Sequence, residues 1–139
     1  GLGDVYKRQD MERIGDQATD IAEIARFIRG RHQQTNETLR TMAEEAISMV
    51  QEAVRSFVER DLALARKVID DDDVVDRLFD ETKTRLITFI AQDGANGEYY
   101  LDLLMIAKYY ERIGDHATNI AEWVIYSVTG THKDEITLT

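Results

Sequence analysis

The stretch ERIGDHATNIAE, at residues 111–122, repeats almost unchanged the stretch ERIGDQATDIAE at residues 12–23. Ten of the twelve positions are identical between the two copies, whereas the seven positions that follow them share no identity. A duplication that drifted evenly would not preserve one patch and lose its neighbour. The repeat therefore indicates that these residues meet a specific structural or functional requirement.

Both copies have the apolar periodicity of an amphipathic helix, in which each residue turns the chain by about 100°. The second copy places four apolar residues on one face, namely Ile113, Ala117, Ile120 and Val124. The first copy forms the same stripe with Ile14, Ala18, Ile21, Ala25 and Ile28. The acidic residues lie on roughly the opposite side, with Glu12 and Asp16 in the first copy and Glu111 and Asp115 in the second.

An acidic helix face is ordinarily solvated, but this one has features that a solvated face does not need. Leu104 and Ala107 lie on the same side of the helix as Glu111. Gly15 and Gly114 occupy mid-helix positions, where glycine costs about 1 kcal/mol relative to alanine. Glycine at these positions suggests that another backbone comes close to the helix. The acidic side is therefore predicted to contact a neighbouring element.

A second acidic group lies in DDDDVVDRLFDE, at residues 70–81, where Asp72, Asp76 and Asp80 follow one another at i+4 spacing. The apolar stripe of this segment is Val75, Phe79, Thr82 and Leu86. Asp72 and Asp76 fall at the edge of that stripe, where they could face a neighbouring helix. In an antiparallel arrangement they would meet Glu111 and Asp115; a charge run on a solvated surface is the alternative.

Carboxylates gathered at a partly dry interface need a counter-charge. Arg13 and Arg112 could supply part of it, and a divalent or trivalent cation would supply it more completely. Ligation by oxygen alone favours hard ions such as Mg²⁺, Mn²⁺, Ca²⁺ or iron.

Apolar residues recur at helical spacing almost throughout, with no convincing strand-like alternation, so the predicted fold class is all-α. Asp61 is a candidate N-cap and Gly130 a candidate helix end. Residues 31–130 are predicted to form an antiparallel three-helix bundle. Residues 10–30 would be the last helix of a preceding, truncated bundle. The predicted helices of the complete bundle have approximate bounds at residues 36–59, 61–92 and 98–128.

The two ends of the chain lie outside this pattern. Residues 131–139 form a polar tail. Residues 1–9, GLGDVYKRQ, fit no helical repeat, and DVYKRQ can be read back as a transposon end used in sequencing libraries. We therefore expect a non-native, adapter-derived segment there and exclude it from the fold prediction. A natural sequence is the alternative.

Composition restricts the classes of function. The chain has 139 residues, 43% of them hydrophobic, and a formal net charge of −10, which argues against nucleic-acid binding and favours cations or basic protein surfaces. It has no cysteine, which excludes disulfides and thiolate metal sites and is consistent with the cytoplasm. No signal peptide is visible, and no apolar run is long enough to cross a bilayer, so we expect no membrane insertion.

The two copies of the Glu-Arg-Ile-Gly-Asp segment resemble the signature helices of the PhoU family, whose motif is Glu/Asp-x-x-x-Asp. The resemblance covers residues 10–130 and implies a pair of three-helix bundles with metal ions or metal clusters on their acidic motifs. Asp20 is an uncertain member of the implied set, because its counterpart in the second copy is Asn119. The implied metal ligands are Glu12, Asp16 and Asp20 in an incomplete first site, and Asp72, Asp76, Glu111 and Asp115 in the second.

The resemblance also implies a function. PhoU proteins are non-enzymatic cytoplasmic adaptors that link a phosphate ABC transporter, through its ATPase, to a sensor histidine kinase. They act as negative regulators of the phosphate-starvation response. The implied cofactors are divalent or trivalent ions, with Mg, Mn or Fe as candidates. A cytoplasmic PhoU-like tail of a sodium–phosphate cotransporter is an alternative origin for the chain.

Two alternatives come from other classes of protein. A carboxylate-bridged di-iron oxidoreductase would need Glu-x-x-His pairs, but none of the three histidines has Glu three residues before it. A histidine phosphotransfer bundle would use His116 as the acceptor, yet the first copy has Gln17 at that position. The sequence therefore favours a protein that is not an enzyme.

The apolar stripe of the first copy indicates that the chain self-associates. A stripe without its own bundle is the kind of exposed patch that soluble monomers avoid. Folding back onto residues 31–130 is disfavoured, because those helices already cover one another's stripes. We therefore expect homodimers or larger homo-oligomers that associate through Ile14, Ile21 and Ile28.

Overall fold

The structure is a computed structural model that describes Arg8, Gln9, Glu12 and residues 37–130. Apart from Glu12, the predicted helix over residues 10–30, with its apolar stripe, and the polar tail therefore lie outside the described residues. The self-association expected from that stripe stays a prediction.

Residues 37–130 form three long helices that pack against one another in every pairing. Helix α1 spans Glu37–Glu59, α2 spans Leu62–Gln92 and α3 spans Gly97–Thr129, with one 3-10 turn at Gly94–Asn96. No strand occurs among these residues. The all-α prediction is confirmed, and the predicted helix bounds agree with the structure to within one residue.

The core of the bundle is built from the apolar stripes that the sequence indicated. Ile113, Ala117, Ile120 and Val124 of α3 are all buried, as are Val75, Thr82 and Leu86 of α2. Helix α1 adds two fully buried methionines, Met42 and Met49. Methionine is flexible and fills irregular gaps between neighbouring helices. The same packing fixes which faces of α2 and α3 meet.

The turn between α1 and α2 is only two residues long, and its polar groups hold it closed. Arg60 has a φ of 55°, the left-handed conformation that reverses the chain after a helix. Its guanidinium donates a hydrogen bond to the carbonyl oxygen of Ser127, 3.3 Å away on α3. Asp61 caps α2, because its carboxylate accepts a hydrogen bond from the backbone N–H of Leu64 at 3.0 Å. The predicted N-cap is confirmed.

Asp93 organises the connection between α2 and α3. Its carboxylate accepts hydrogen bonds from the amide of Asn96 at 2.9 Å and the hydroxyl of Tyr100 at 3.0 Å. These two hydrogen bonds lower the pKa of Asp93. The ring of Tyr100 also stacks on Phe89, with centroids 5.6 Å apart. The connection returns the chain antiparallel to α2, and α3 then ends at Gly130, whose φ of 76° confirms the predicted helix end.

No helix among residues 37–130 is long and apolar enough to cross a membrane.

Replacing Asp61 with alanine should destabilise the bundle by about 1 kcal/mol, because the backbone N–H of Leu64 loses its acceptor. Urea unfolding followed by far-ultraviolet circular dichroism measures the change. Asp61→Asn is the matched control, since its side-chain oxygen can still cap the helix and most of the stability should be retained. Equal losses in both variants would show that the cap hydrogen bond is not the source.

Candidate metal centre

Three carboxylates meet on the seam between α2 and α3. Asp72 and Asp76 lie one turn apart on α2, and Asp115 reaches the same point from α3. One oxygen from each of these residues lies within 4.8 Å of the oxygens from the other two. The structure thus brings together acids that are about 40 residues apart in the sequence, from both of the acidic groups that the sequence singled out.

The antiparallel register explains why these residues meet. Gly114 of α3 lies beside Asp72 of α2, and Lys108 lies over the ring of Phe79. The residue numbers of the two facing pairs have nearly the same sum, 72 + 114 = 186 and 79 + 108 = 187, as antiparallel helices require. Asp76 therefore lies at the level of Glu111, since 76 + 111 = 187.

Asp72 is the most enclosed of the three acids, and glycine makes room for it. A Cβ atom at position 114 would lie 3.3 Å from Asp72 Oδ1 and 3.5 Å from the sulfur of Met49. The sequence suggested that another backbone approaches Gly114, but the close neighbours are the side chains of α1 and α2. Asp72 Oδ1 is buried and has no hydrogen-bond partner, an arrangement that is costly for an ionised group.

Burial and like charge both act on these carboxyl groups. Burial, with the neighbouring charges of Asp76 and Asp115, raises the pKa of Asp72 to about 7. Burial and the charges of Asp115 and Glu111 also raise the pKa of Asp76. The pKa of Asp115 is raised by burial and by Glu111, and this rise is partly opposed by His116 and Lys108. The three acids therefore destabilise the folded chain when all are ionised without a counter-ion.

Lys108 supplies a positive charge beside this cluster, and this charge partly opposes the raised pKa of Asp115. Its ammonium forms a salt bridge with Glu111 on the same helix and lies 5.0 Å from the ring centroid of Phe79 on α2. The sequence singled out Arg112 as a counter-charge, but Arg112 is exposed. Lys108 was not predicted. The i, i+3 spacing between Lys108 and Glu111 was the available signal.

The other predicted ligands are placed differently. Glu111 is turned toward Lys108 and does not belong to the group of three close carboxylates. Glu12 is helical and exposed. Asp16, Asp20 and Arg13 lie outside the described residues, so the predicted first site has no described geometry.

The cluster has the chemistry of a site for a hard cation. Its donors are carboxylate oxygens from two helices, which suit Mg²⁺, Mn²⁺ or iron better than a thiolate-seeking ion. The partnerless oxygen of Asp72 is an available ligand atom, and a bound ion would neutralise the repulsion among the three acids. A histidine-rich di-iron arrangement is not present in this group, which contains aspartates alone.

Comparison with known proteins adds the family context. The PhoU domain family matches residues 39–124. Proteins named phosphate-specific transport system accessory protein PhoU homolog are 34% identical to the chain in Clostridium acetobutylicum and 37% in Pseudomonas aeruginosa. These matches cover 90% and 94% of the chain but only 58% and 54% of the two relatives. The chain thus spans a little over half of their length.

Solved structures give the same relationship. The crystal structure of PhoU from Pseudomonas aeruginosa matches with a TM-score of 0.86 and 34% identity, covering 94% of this chain and 67% of that one. The phosphate transport system regulatory protein PhoU from Streptococcus pneumoniae matches with a TM-score of 0.78 over 94% of this chain and 66% of that one. Its identity is 23%, so this likeness shows the fold alone.

Without metal, the stability of the protein should fall as the pH rises from about 4 to about 7. The unfolded chain releases the Asp72 proton near the ordinary value of 3.8, whereas the folded chain holds it up to about 7. The unfolded state therefore binds fewer protons across that window, and the free energy of unfolding decreases with pH. Thermal melts in a chelator over this range measure the slope.

Asp72→Asn should flatten that slope, and Asp70→Asn is the matched control. Asp70 is an exposed aspartate two residues away that takes no part in the cluster. The control variant should keep the pH dependence of the unmodified chain. An unchanged slope in Asp72→Asn would show that the repulsion at the seam is not its cause.

Proposed function

The chain belongs to the PhoU family, and from this we propose that it is a metal-binding accessory protein of a phosphate-specific transport system. Its described bundle carries the family fold, and its relatives are named for that transport system. The metal-binding part of this proposal is supported by the cluster of Asp72, Asp76 and Asp115 on one helix–helix seam.

The three aspartates would hold a divalent or trivalent ion, with Mg²⁺, Mn²⁺ and iron as the candidates. The ion would supply positive charge at the seam, where the chain has too few cationic side chains to balance the three aspartates. It would give the buried oxygen of Asp72 a partner and would offset the negative charges of Asp76 and Asp115 on the two sides of the seam. The ion thus braces α2 against α3, a structural task that requires no chemical step, and the protein is proposed to be a regulator and not an enzyme.

The proposed partners follow from the family and the charge. The adaptor would contact the ATPase of a phosphate ABC transporter and a sensor histidine kinase in the cytoplasm. In doing so, it would hold the phosphate-starvation response off when phosphate is plentiful. A net charge of −10 favours binding to basic patches on such partners. Co-purification with the transporter ATPase, with and without Mn²⁺, measures this part directly.

Metal should raise the stability of the folded chain, and the gain should depend on the cluster. An ion that binds only the folded state adds RT ln(1 + [L]/Kd), or about 2.7 kcal/mol at a hundredfold excess over Kd. Melts with and without Mn²⁺ should show this shift in the unmodified protein. The double variant Asp72→Asn/Asp115→Asn should lose it while remaining at least as stable without metal, because repulsion is removed.

The matched control is Asp70→Asn combined with Asp80→Asn, which removes the same charge from exposed positions on α2. This control should retain most of the Mn²⁺ shift. An equal shift in all three proteins would place the bound ion elsewhere. No shift in any of them would remove metal binding from the proposal.

A further inference from the structure

Lys108 occupies a position that the proposed metal site does not explain. Its ammonium lies between Glu111 of its own helix and the ring of Phe79 on α2. Phe79 follows Asp76 by three residues and so lies on the same side of α2, one turn along the seam. The lysine is therefore held beside the carboxylate cluster by contacts to both helices.

Glu111 is close to the cluster without belonging to it. Its charge contributes to the raised pKa of both Asp72 and Asp76, and the helix register sets it level with Asp76. Its carboxylate is nevertheless paired with Lys108, and its side chain is only 15% exposed. A fourth carboxylate, that of Glu111, thus lies next to the three close ones and is paired with the ammonium of Lys108.

We propose that Lys108 is a resident counter-ion that competes with the bound metal for Glu111 and so sets both the affinity of the site and its number of carboxylate ligands. This inference rests on the proposed metal-binding function. With Lys108 on Glu111, the ion is offered three carboxylates. When Lys108 moves away, Glu111 becomes the fourth ligand.

The contacts allow such an exchange. The side chain of Lys108 is 44% exposed, so its ammonium can leave Glu111 for water. Partly exposed ion pairs of this kind are individually weak. A multivalent ion beside the same carboxylate attracts it more strongly than a single ammonium does. The pair is therefore strong enough to lower metal affinity and weak enough to be displaced.

Removing the charge of Lys108 should tighten Mn²⁺ binding about three- to tenfold. Lys108→Met is the most informative variant, because it keeps an unbranched apolar chain against Phe79. Isothermal titration calorimetry with Mn²⁺ alone as the probe gives the affinity of each protein. Lys108→Arg keeps the charge and should bind Mn²⁺ as the unmodified chain does.

Competition for Glu111 is distinguished from a general charge effect by a double-mutant cycle. In a Glu111→Gln background, the carboxylate for which Lys108 and Mn²⁺ compete is absent. Lys108→Met should therefore improve Mn²⁺ binding much less in that background. Lys67→Gln is the matched control for loss of one paired lysine, because Lys67 bridges Glu52 and Asp71, which lie outside the cluster. It should change the Mn²⁺ affinity by less than Lys108→Met does.

The outcomes separate this inference from the function on which it rests. If the unmodified chain binds Mn²⁺ and Lys108→Met binds it no more tightly, competition by Lys108 is contradicted while the metal site stands. The same gain in the Glu111→Gln background also contradicts it. Binding by neither protein would remove the site and the inference together, whereas binding by Lys108→Met alone would support the competition.

Discussion

The bundle is organised around an electrostatic conflict on one seam. Packing of the apolar stripes of α2 and α3 forces Asp72, Asp76 and Asp115 to within 4.8 Å of one another. Like charges at such distances repel, and partial burial strengthens the effect because less water screens them. Asp72 is the residue most affected: its pKa is raised to about 7, and one of its oxygens has no hydrogen-bond partner. A bound cation would relieve the conflict at pH values where all three acids are ionised.

The rest of the described fold holds this seam in place. The capped two-residue turn at Asp61 and the hydrogen-bonded connection at Asp93 keep the helices antiparallel and in register. Gly114 removes the Cβ that would crowd Asp72. A mid-helix glycine is unfavourable for a helix considered alone, so its presence is explained by the carboxylate beside it. Helix α3 is therefore intrinsically less stable at Gly114, the position where the acids converge.

Much of this was readable from the sequence, because helical periodicity and i+4 spacing act over short distances. The apolar stripe of α3, the cap at Asp61 and the two acidic groups all follow from local patterns. The pairing of Glu111 with Lys108 had a local signal in their i, i+3 spacing, but the position of the Lys108 ammonium over the ring of Phe79 depends on how α2 and α3 pack. The neighbours of Gly114 also depend on the exact facing of three helices, which a single sequence does not encode in any local pattern.

The central claim is that Asp72, Asp76 and Asp115 bind a cation together. The most direct test is a crystal structure of the protein grown with Mn²⁺, with anomalous diffraction measured to locate the ion. The account predicts an anomalous peak on the seam between α2 and α3, within coordination distance of an oxygen from each of the three aspartates. A well-ordered seam without such a peak, at Mn²⁺ concentrations that saturate the protein in solution, would contradict it.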